Sequence, residues 1–335
     1  MNYLYHNIGL KITIADNLQF TVCQSMKIES SVQVLSNTAT LELPREFKNA
    51  VDPVGKSINI AGKSILDFMK RGDAIKIEFG YDGNLETEFE GYISKIGAET
   101  PLILECEDEM FQLKKAPRIT KFIKSGKLID IIKAVVPSTY TIECNGDYSI
   151  GKWLIEDATP YNVLEELREK VGIRAYFKDP KTLAVGMIVD FKPQTKHRYN
   201  FSESVRRGSS LKFETKESNP VFLTVESKQA NGTVFKVSVG EKGGDEKTMK
   251  LWPNMTKTEL EIWANKQQTS VSYNGFEGTL DGWCYPRTKP GDAVEIYRPF
   301  YKDRHQDGIY FIEGVTIDIN GSDGIKRANQ LSYRL

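Results

Sequence analysis

Apolar and polar residues alternate in short runs along the first third of the chain: Leu10-Lys11-Ile12-Thr13-Ile14, Thr38-Ala39-Thr40-Leu41-Glu42-Leu43 and Ala74-Ile75-Lys76-Ile77-Glu78-Phe79. A period of two places every second side chain on one face of an extended strand, so these runs predict strands with one face buried and one wet. Tyr81-Asp82-Gly83-Asn84 supplies a turn between them, because Asp and Asn bond their own backbone and Gly accepts positive φ. As far as about Leu113 the pattern predicts one long antiparallel sheet, closed or nearly so.

The period changes after Lys114. Ser125-Gly126 precedes Leu128, Ile129, Ile131, Ile132, Val135 and Val136, a helical stripe that Pro137 ends. Thr159-Pro160 caps a second helix whose apolar face is Val163, Leu164, Leu167 and Val171, with Gly172 at its C-terminus. Ile173 to Phe177 and Leu183 to Val189 predict further strands. Strand patterns then return in Phe222 to Val225 and Val234 to Val239, joined by the turn Ala230-Asn231-Gly232-Thr233, with a loop from Gly240 to Glu246. Thr256 and Glu259 form a capping-box pattern for a third helix with Leu260, Ile262, Trp263 and Ala264 on its apolar face, and from Gly275 onward the chain reads as strand. The expected fold class is mainly β with an α+β insert. A first β-barrel domain is expected over 1–117, a small α+β domain over 118–205, and a second barrel with one helix at about 256–270 over 206–335.

The two β regions share a motif. Gly72-Asp73-Ala74-Ile75-Lys76-Ile77 recurs as Gly291-Asp292-Ala293-Val294-Glu295-Ile296. Each copy leads through a polar turn, Tyr81 to Leu85 and Tyr301 to Asp307, into an aromatic strand with a glycine, Phe89-Glu90-Gly91-Tyr92-Ile93 and Tyr310-Phe311-Ile312-Glu313-Gly314-Val315. The candidate structural residues are therefore Gly72, Asp73, Ile75, Ile77, Gly291, Asp292, Val294 and Ile296: Gly-Asp closes a surface turn and the apolar members point into a core. One copy alone is a generic β-turn; two at corresponding points suggest a duplicated domain.

Over 335 residues, Lys plus Arg and Asp plus Glu number 45 each, so no net field draws the chain to nucleic acid or an anionic membrane. Cys23, Cys106, Cys144 and Cys284 form no C-x-x-C pair and are expected to be reduced. The N-terminus mixes His6, Lys11 and Asp16 into short apolar pieces, unlike a signal peptide, and no stretch approaches the roughly 18 apolar residues of a membrane span. Gly55-Lys56-Ser57 and Gly62-Lys63-Ser64 resemble part of a P-loop, but the required glycine five positions earlier is Ala50 or Ser57. His6, His197 and His305 lack metal-ligand spacing. The run Glu105-Cys106-Glu107-Asp108-Glu109 could hold a cation or act as paired carboxylates, but alternation reads it as a strand end with one wet face. Trp153, Trp252, Trp263 and Trp283 have no common spacing and read as core or interface packing rather than a sugar platform. No catalytic residue, cofactor or metal is assigned.

The segments Thr38 to Leu43, Arg71 to Tyr81, Phe89 to Ile93 and Pro101 to Asp108, then Leu128 to Ile132, Ala158 to Leu164, Gly278 to Gly282 and Lys289 to Val294, together resemble the phage late control protein D family. That family includes baseplate hub proteins of contractile-tailed phages and is similar to the N-terminal part of type VI secretion spike proteins. The resemblance implies a homotrimer whose paired barrels surround one lumen. It implies a hexameric tail tube protein on one face and a trimeric spike protein on the other, with other baseplate proteins and the tape measure protein as further partners. The expected location is the baseplate of a virion tail or injection particle assembled in a bacterial cytoplasm. Because the sequence stops at Leu335, in what should be the last tube strand, the spike is expected on another polypeptide. The residues leave open a tail-tip protein of a non-contractile phage with a cell-wall hydrolase or sugar-binding role, and a type VI-like spike component.

Overall fold

The computed structural model describes residues 7–15, 18–44, 50–51, 56–58, 65–98, 100–124, 126–146, 148–206, 209–214, 220–229, 231–252, 254–272, 274–297 and 308–335. The first β region contains β1 (Ile8–Ile14), β2 (Leu18–Phe20), β3 (Ser25–Ser31), β4 (Thr38–Leu43), β5 (Ala50–Val51), β6 (Ser57–Ile58), β7 (Ala74–Tyr81), β8 (Glu86–Ile96) and β9 (Leu102–Glu107). A short helix α1 (Met110–Lys115) leads to β10 (Ile119–Ile123), α2 (Leu128–Val135), β11 (Thr141–Asn145), β12 (Trp153–Ala158), α3 (Pro160–Val171), β13 (Arg174–Asp179) and β14 (Thr182–Gly186). Next come β15 (Lys196–Asn200), β16 (Lys212–Glu214), β17 (Val221–Lys228), β18 (Val234–Gly240), β19 (Asp245–Lys250) and α4 (Lys257–Val271). The chain ends with β20 (Gly275–Gly282), β21 (Ala293–Tyr297), β22 (Gly308–Asn320) and β23 (Gly324–Arg334).

The alternation seen in the sequence becomes the two faces of a wide sheet. Ile12, Ile14, Ile75, Ile77, Leu41 and Leu104 are buried on one face, while Lys11, Lys76 and Glu78 line the other as ion pairs 3.2–3.3 Å long. The two β regions expected as two barrels are joined by backbone hydrogen bonds. Among the described residues they form one fifteen-stranded sheet in the order β16-β20-β23-β22-β3-β4-β9-β8-β7-β1-β2-β5-β6, with β21 and β15 branching from β22. Among the described residues this hydrogen-bonded path does not return on itself. The join is β22, which pairs with β21 near Gly308–Phe311 and with β3 from Gly314 to Asn320, while β23 runs along its other edge. One apolar cluster accordingly spans both regions, from Ile12 and Phe79 to Val294, Tyr310 and Leu331.

A second apolar cluster holds the insert together. Its members include Ile131 and Ile132 of α2, Val163, Leu164 and Leu167 of α3, and Leu183 and Val185 of β14. The boundary expected at 206 puts the third helix in the second barrel, but its buried Leu260, Trp263 and Ala264, with Leu223 and Val225 of the β18-β17-β19 sheet, belong to this insert cluster. Ile262, expected on the buried face, is 54% exposed. Both longer helices begin as the sequence indicates: the Thr159 hydroxyl accepts from the Asn162 N–H and the Thr256 hydroxyl from the Glu259 N–H. Val32, Tyr176, Ala184, Phe191 and Phe311 form a small joint where the insert meets the Ser31–Gly314 end of the β3–β22 ladder.

The two β regions also share a buried polar knot. Arg327, fully buried on β23, donates to the carbonyls of Cys284 (3.2 Å) and Thr288 (2.9 Å) and to the Glu88 carboxylate (2.6 Å). Arg287 donates to the same Glu88 oxygen at 2.9 Å, so one acid of the first region is held by two arginines of the second. Removing one partner of such a pair leaves an uncompensated charge in a dry site. Glu88→Leu is expected to lower unfolding free energy in guanidinium titrations by about 3–5 kcal/mol. Adding Arg327→Met should recover part of that loss.

Candidate functional site

Both Gly-Asp motifs build the same turn. Gly72 and Gly291 sit at φ +94° and +88°, in the left-handed region where glycine is favoured. Gly72 N–H donates to the Ile93 carbonyl at 2.8 Å, and Gly291 N–H to the Ile312 carbonyl at 2.9 Å. Ile93 and Ile312 return the bond to the Asp73 and Asp292 carbonyls, each at 2.9 Å. The Asp73 carboxylate accepts the Lys70 N–H at 2.8 Å, and that of Asp292 accepts the Lys289 N–H at 2.9 Å. Ile75, Ile77, Val294 and Ile296 all point into the common apolar cluster.

The correspondence extends along the ladders. Ala74 opposes Tyr92, Ile75 Gly91, Lys76 Glu90 and Ile77 Phe89; in the same order Ala293 opposes Phe311, Val294 Tyr310, Glu295 Ile309 and Ile296 Gly308. Even a bulge repeats: β8 against β9 shifts between Ile93 and Lys95, and β22 against β23 between Ile312 and Gly314. This register corrects the glycine match made on sequence. Gly91 corresponds to Tyr310, and Gly314 to Lys95. Gly91 is small for its own reason, because a Cβ there would lie 2.1 Å from the Glu107 carbonyl oxygen.

The motifs differ in what surrounds them. Asp292 also accepts from the Thr195 N–H (3.2 Å) and lies 2.9 Å from His197 Nε2, tying β15 of the chain's middle to the second turn. The strand beside β7 is β1, antiparallel, whereas the strand beside β21 is β15, parallel.

The acidic run is a connector. Glu105 pairs with Lys95, Glu107 with Lys114 of α1, and Glu109 accepts the hydroxyls of Tyr92 (3.0 Å) and of Tyr140 in the insert (2.9 Å). Asp108, 6% exposed, accepts the Asn37 and Met110 N–H groups at 3.0 and 3.1 Å and the Ser36 hydroxyl at 3.3 Å. Its burial outweighs these bonds and pushes the carboxyl up to about 7. Trp252 and Trp263 are core residues of the insert, while Trp283 is 44% exposed beneath the Arg206 guanidinium. Burial pushes the thiols of Cys23, Cys106 and Cys284 up to about 11, 12 and 11, so they remain protonated. Ser57 lies in the short pairing of β5 with β6. Gly55, Gly62-Lys63-Ser64, His6, His305 and the turn Tyr301 to Asp307 lie outside the described residues. Among the described residues no group of three His, Cys, Asp or Glu is arranged to hold a metal, and no helix is long and apolar enough to cross a membrane.

No family model and no curated protein sequence matches the chain. Solved structures do. A tail protein from Neisseria meningitidis superposes with a TM-score of 0.62 at 14% identity, covering 98% of this chain and 97% of that one. The 43 kDa tail protein of prophage MuSo2 from Shewanella oneidensis gives 0.61 at 14% identity, over 97% and 98%. An Escherichia coli component of the type VI secretion system, structurally similar to T4 tail proteins, gives 0.55 at 9% identity, over 98% of this chain and 79% of that one. The chain therefore shares the β-rich fold of these structures over nearly its whole length.

Two outcomes follow from the turns and the connector. Gly72→Ala and Gly291→Ala share the cost of a left-handed alanine, about 1–2 kcal/mol. The second also places a methyl 2.6 Å from the buried Tyr176 hydroxyl, whereas the first meets the far end of the flexible Lys115 side chain at 3.0 Å and Phe111 at an ordinary 3.9 Å, so Gly291→Ala should lower the melting temperature more. Because the Asp108 carboxyl titrates near 7 in the folded chain and near 3.8 when unfolded, the folded state holds its proton more tightly. Its contribution to stability is complete below about 4 and is lost as pH rises through 7. Denaturant midpoints measured from pH 4.5 to 8 should fall less steeply for Asp108→Asn than for the parent; equal slopes would refute this.

Proposed function

We propose that the chain is the structural hub of a phage tail baseplate or a related contractile injection machine. In this reading three copies form a ring whose two related β units per chain imitate sixfold symmetry around an open lumen. One face meets the hexameric tail tube protein and the other the trimeric spike protein; other baseplate proteins and the tape measure protein are further contacts. The particle assembles in the bacterial cytoplasm. The role is mechanical rather than catalytic.

The observation that carries this reading is the end-to-end likeness to two tail proteins, in which neither chain has a large unmatched part. The repeated turn and register supply the physical means, since a unit present twice per chain lets a trimer present six similar edges to a hexamer. The likeness to the type VI component favours a secretion-machine hub as a second reading, one that differs in the parent particle and not in the geometry.

Size-exclusion chromatography with light scattering at high protein concentration should give three times the 37.9 kDa chain mass, and negative-stain images should show rings with a central hole. A protein that stays monomeric at high concentration removes the ring. Loss of peptidoglycan clearing on Glu107→Ala or Asp108→Ala would replace the mechanical reading with an enzymatic one.

A further inference from the structure

The weld between the two units is used at one end only. In the second unit, the edge of β22 beyond Ile312 is filled by β3 of the first unit: the Glu313 carbonyl accepts the Val32 N–H at 2.8 Å and the Ser31 hydroxyl at 2.9 Å, and the ladder continues from Gly314–Ser31 to Asn320–Ser25. The corresponding strand of the first unit is β8, and the residue corresponding to Glu313 is Ser94. Among the described residues its carbonyl accepts from the exposed Arg71 side chain, Nε at 2.9 Å. Among the described residues no strand pairs with that edge of β8 from Ser94 to Ile96.

The strand that would fill it can be identified by the same correspondence. β3 lies beside β4, and β4 beside β9; in the second unit β16 lies beside β20, and β20 beside β23. Stepping across these ladders makes Lys212, Phe213 and Glu214 the counterparts of Glu29, Ser30 and Ser31. Among the described residues β16 pairs only with β20, so its outer edge carries no strand. A chain with one donor edge and a different acceptor edge makes a head-to-tail contact, which gives a ring when the rotation between copies closes.

We propose that β16 of one copy adds antiparallel to β8 of the next, repeating between chains the β3–β22 weld found within each chain. This rests on the ring reading above and assigns its contact. Carrying the internal register across, Gly314–Ser31, Val315–Ser30 and Thr316–Glu29 become Lys95–Glu214, Ile96–Phe213 and Gly97–Lys212. The transferred pairing sets opposite charges and two apolar residues face to face, the kinds of cross-strand pair that stabilise a ladder. Arg71 then acts as a placeholder, covering in the free chain the carbonyl that the neighbouring strand takes over.

The test uses the full chain with Lys95→Cys and Glu214→Cys, oxidised during assembly, because opposed residues of an antiparallel pair stand within disulfide reach. Non-reducing gels should show a ladder ending at the ring, several times stronger than for Lys95→Cys with Lys212→Cys, which is two residues out of register. Lys95→Glu should weaken assembly in light scattering, and adding Glu214→Lys should restore it. If the parent protein forms rings but the two cysteine pairs link equally or not at all, the contact is wrong and the ring stands. If the parent is monomeric throughout, both fall.

Discussion

The β3–β22 ladder is the constraint on which the rest of the molecule depends. A strand from near the N-terminus is inserted against one near the C-terminus, and that single pairing turns two β regions into one sheet with one apolar cluster. The loop-closure entropy of bringing such distant segments together is large but grows slowly with chain length, and it is offset by a seven-residue ladder with Ile28, Met26, Val315 and Ile317 buried beneath it. The Glu88–Arg327–Arg287 knot sits under the same seam. It adds little that a hydrophobic replacement would not, but its directional bonds fix the angle at which the two units meet.

With the seam in place, the insert is held from both sides. The acidic run hooks α1 and Tyr140 to the first unit, and Asp292 with His197 hooks β15 to the second. The joint of Val32, Tyr176 and Phe311 closes the triangle. Residues that looked like candidate chemistry in a linear chain, a carboxylate cluster and a histidine, are thus occupied in positioning the parts.

How much was legible beforehand can be judged from particular residues. The alternation through Ile12, Leu41 and Ile77, the caps at Thr159 and Thr256, and the recurrence of Gly-Asp before an alternating strand are local signals, and each is matched by local structure. The glycine match of Gly91 with Gly314 misled, because two glycines can be required by different neighbours. Glu88 and Arg327 gave no signal at all: a glutamate and an arginine in alternating strands read as surface residues until another strand covers them. The placement of α4 with the insert was equally hidden, since an amphipathic helix announces that it has a partner and not which one.

The sequence by itself determined the period-two strands, the turns that need positive φ and the helix starts, because these depend on residues a few positions apart. Only the tertiary structure decided that the two β regions share one sheet, that the third helix serves the insert, and which strand edges are filled. Those outcomes depend on pairings between distant segments, where many partners offer similar local chemistry and the choice is made by which arrangement buries the apolar faces and satisfies the edges together.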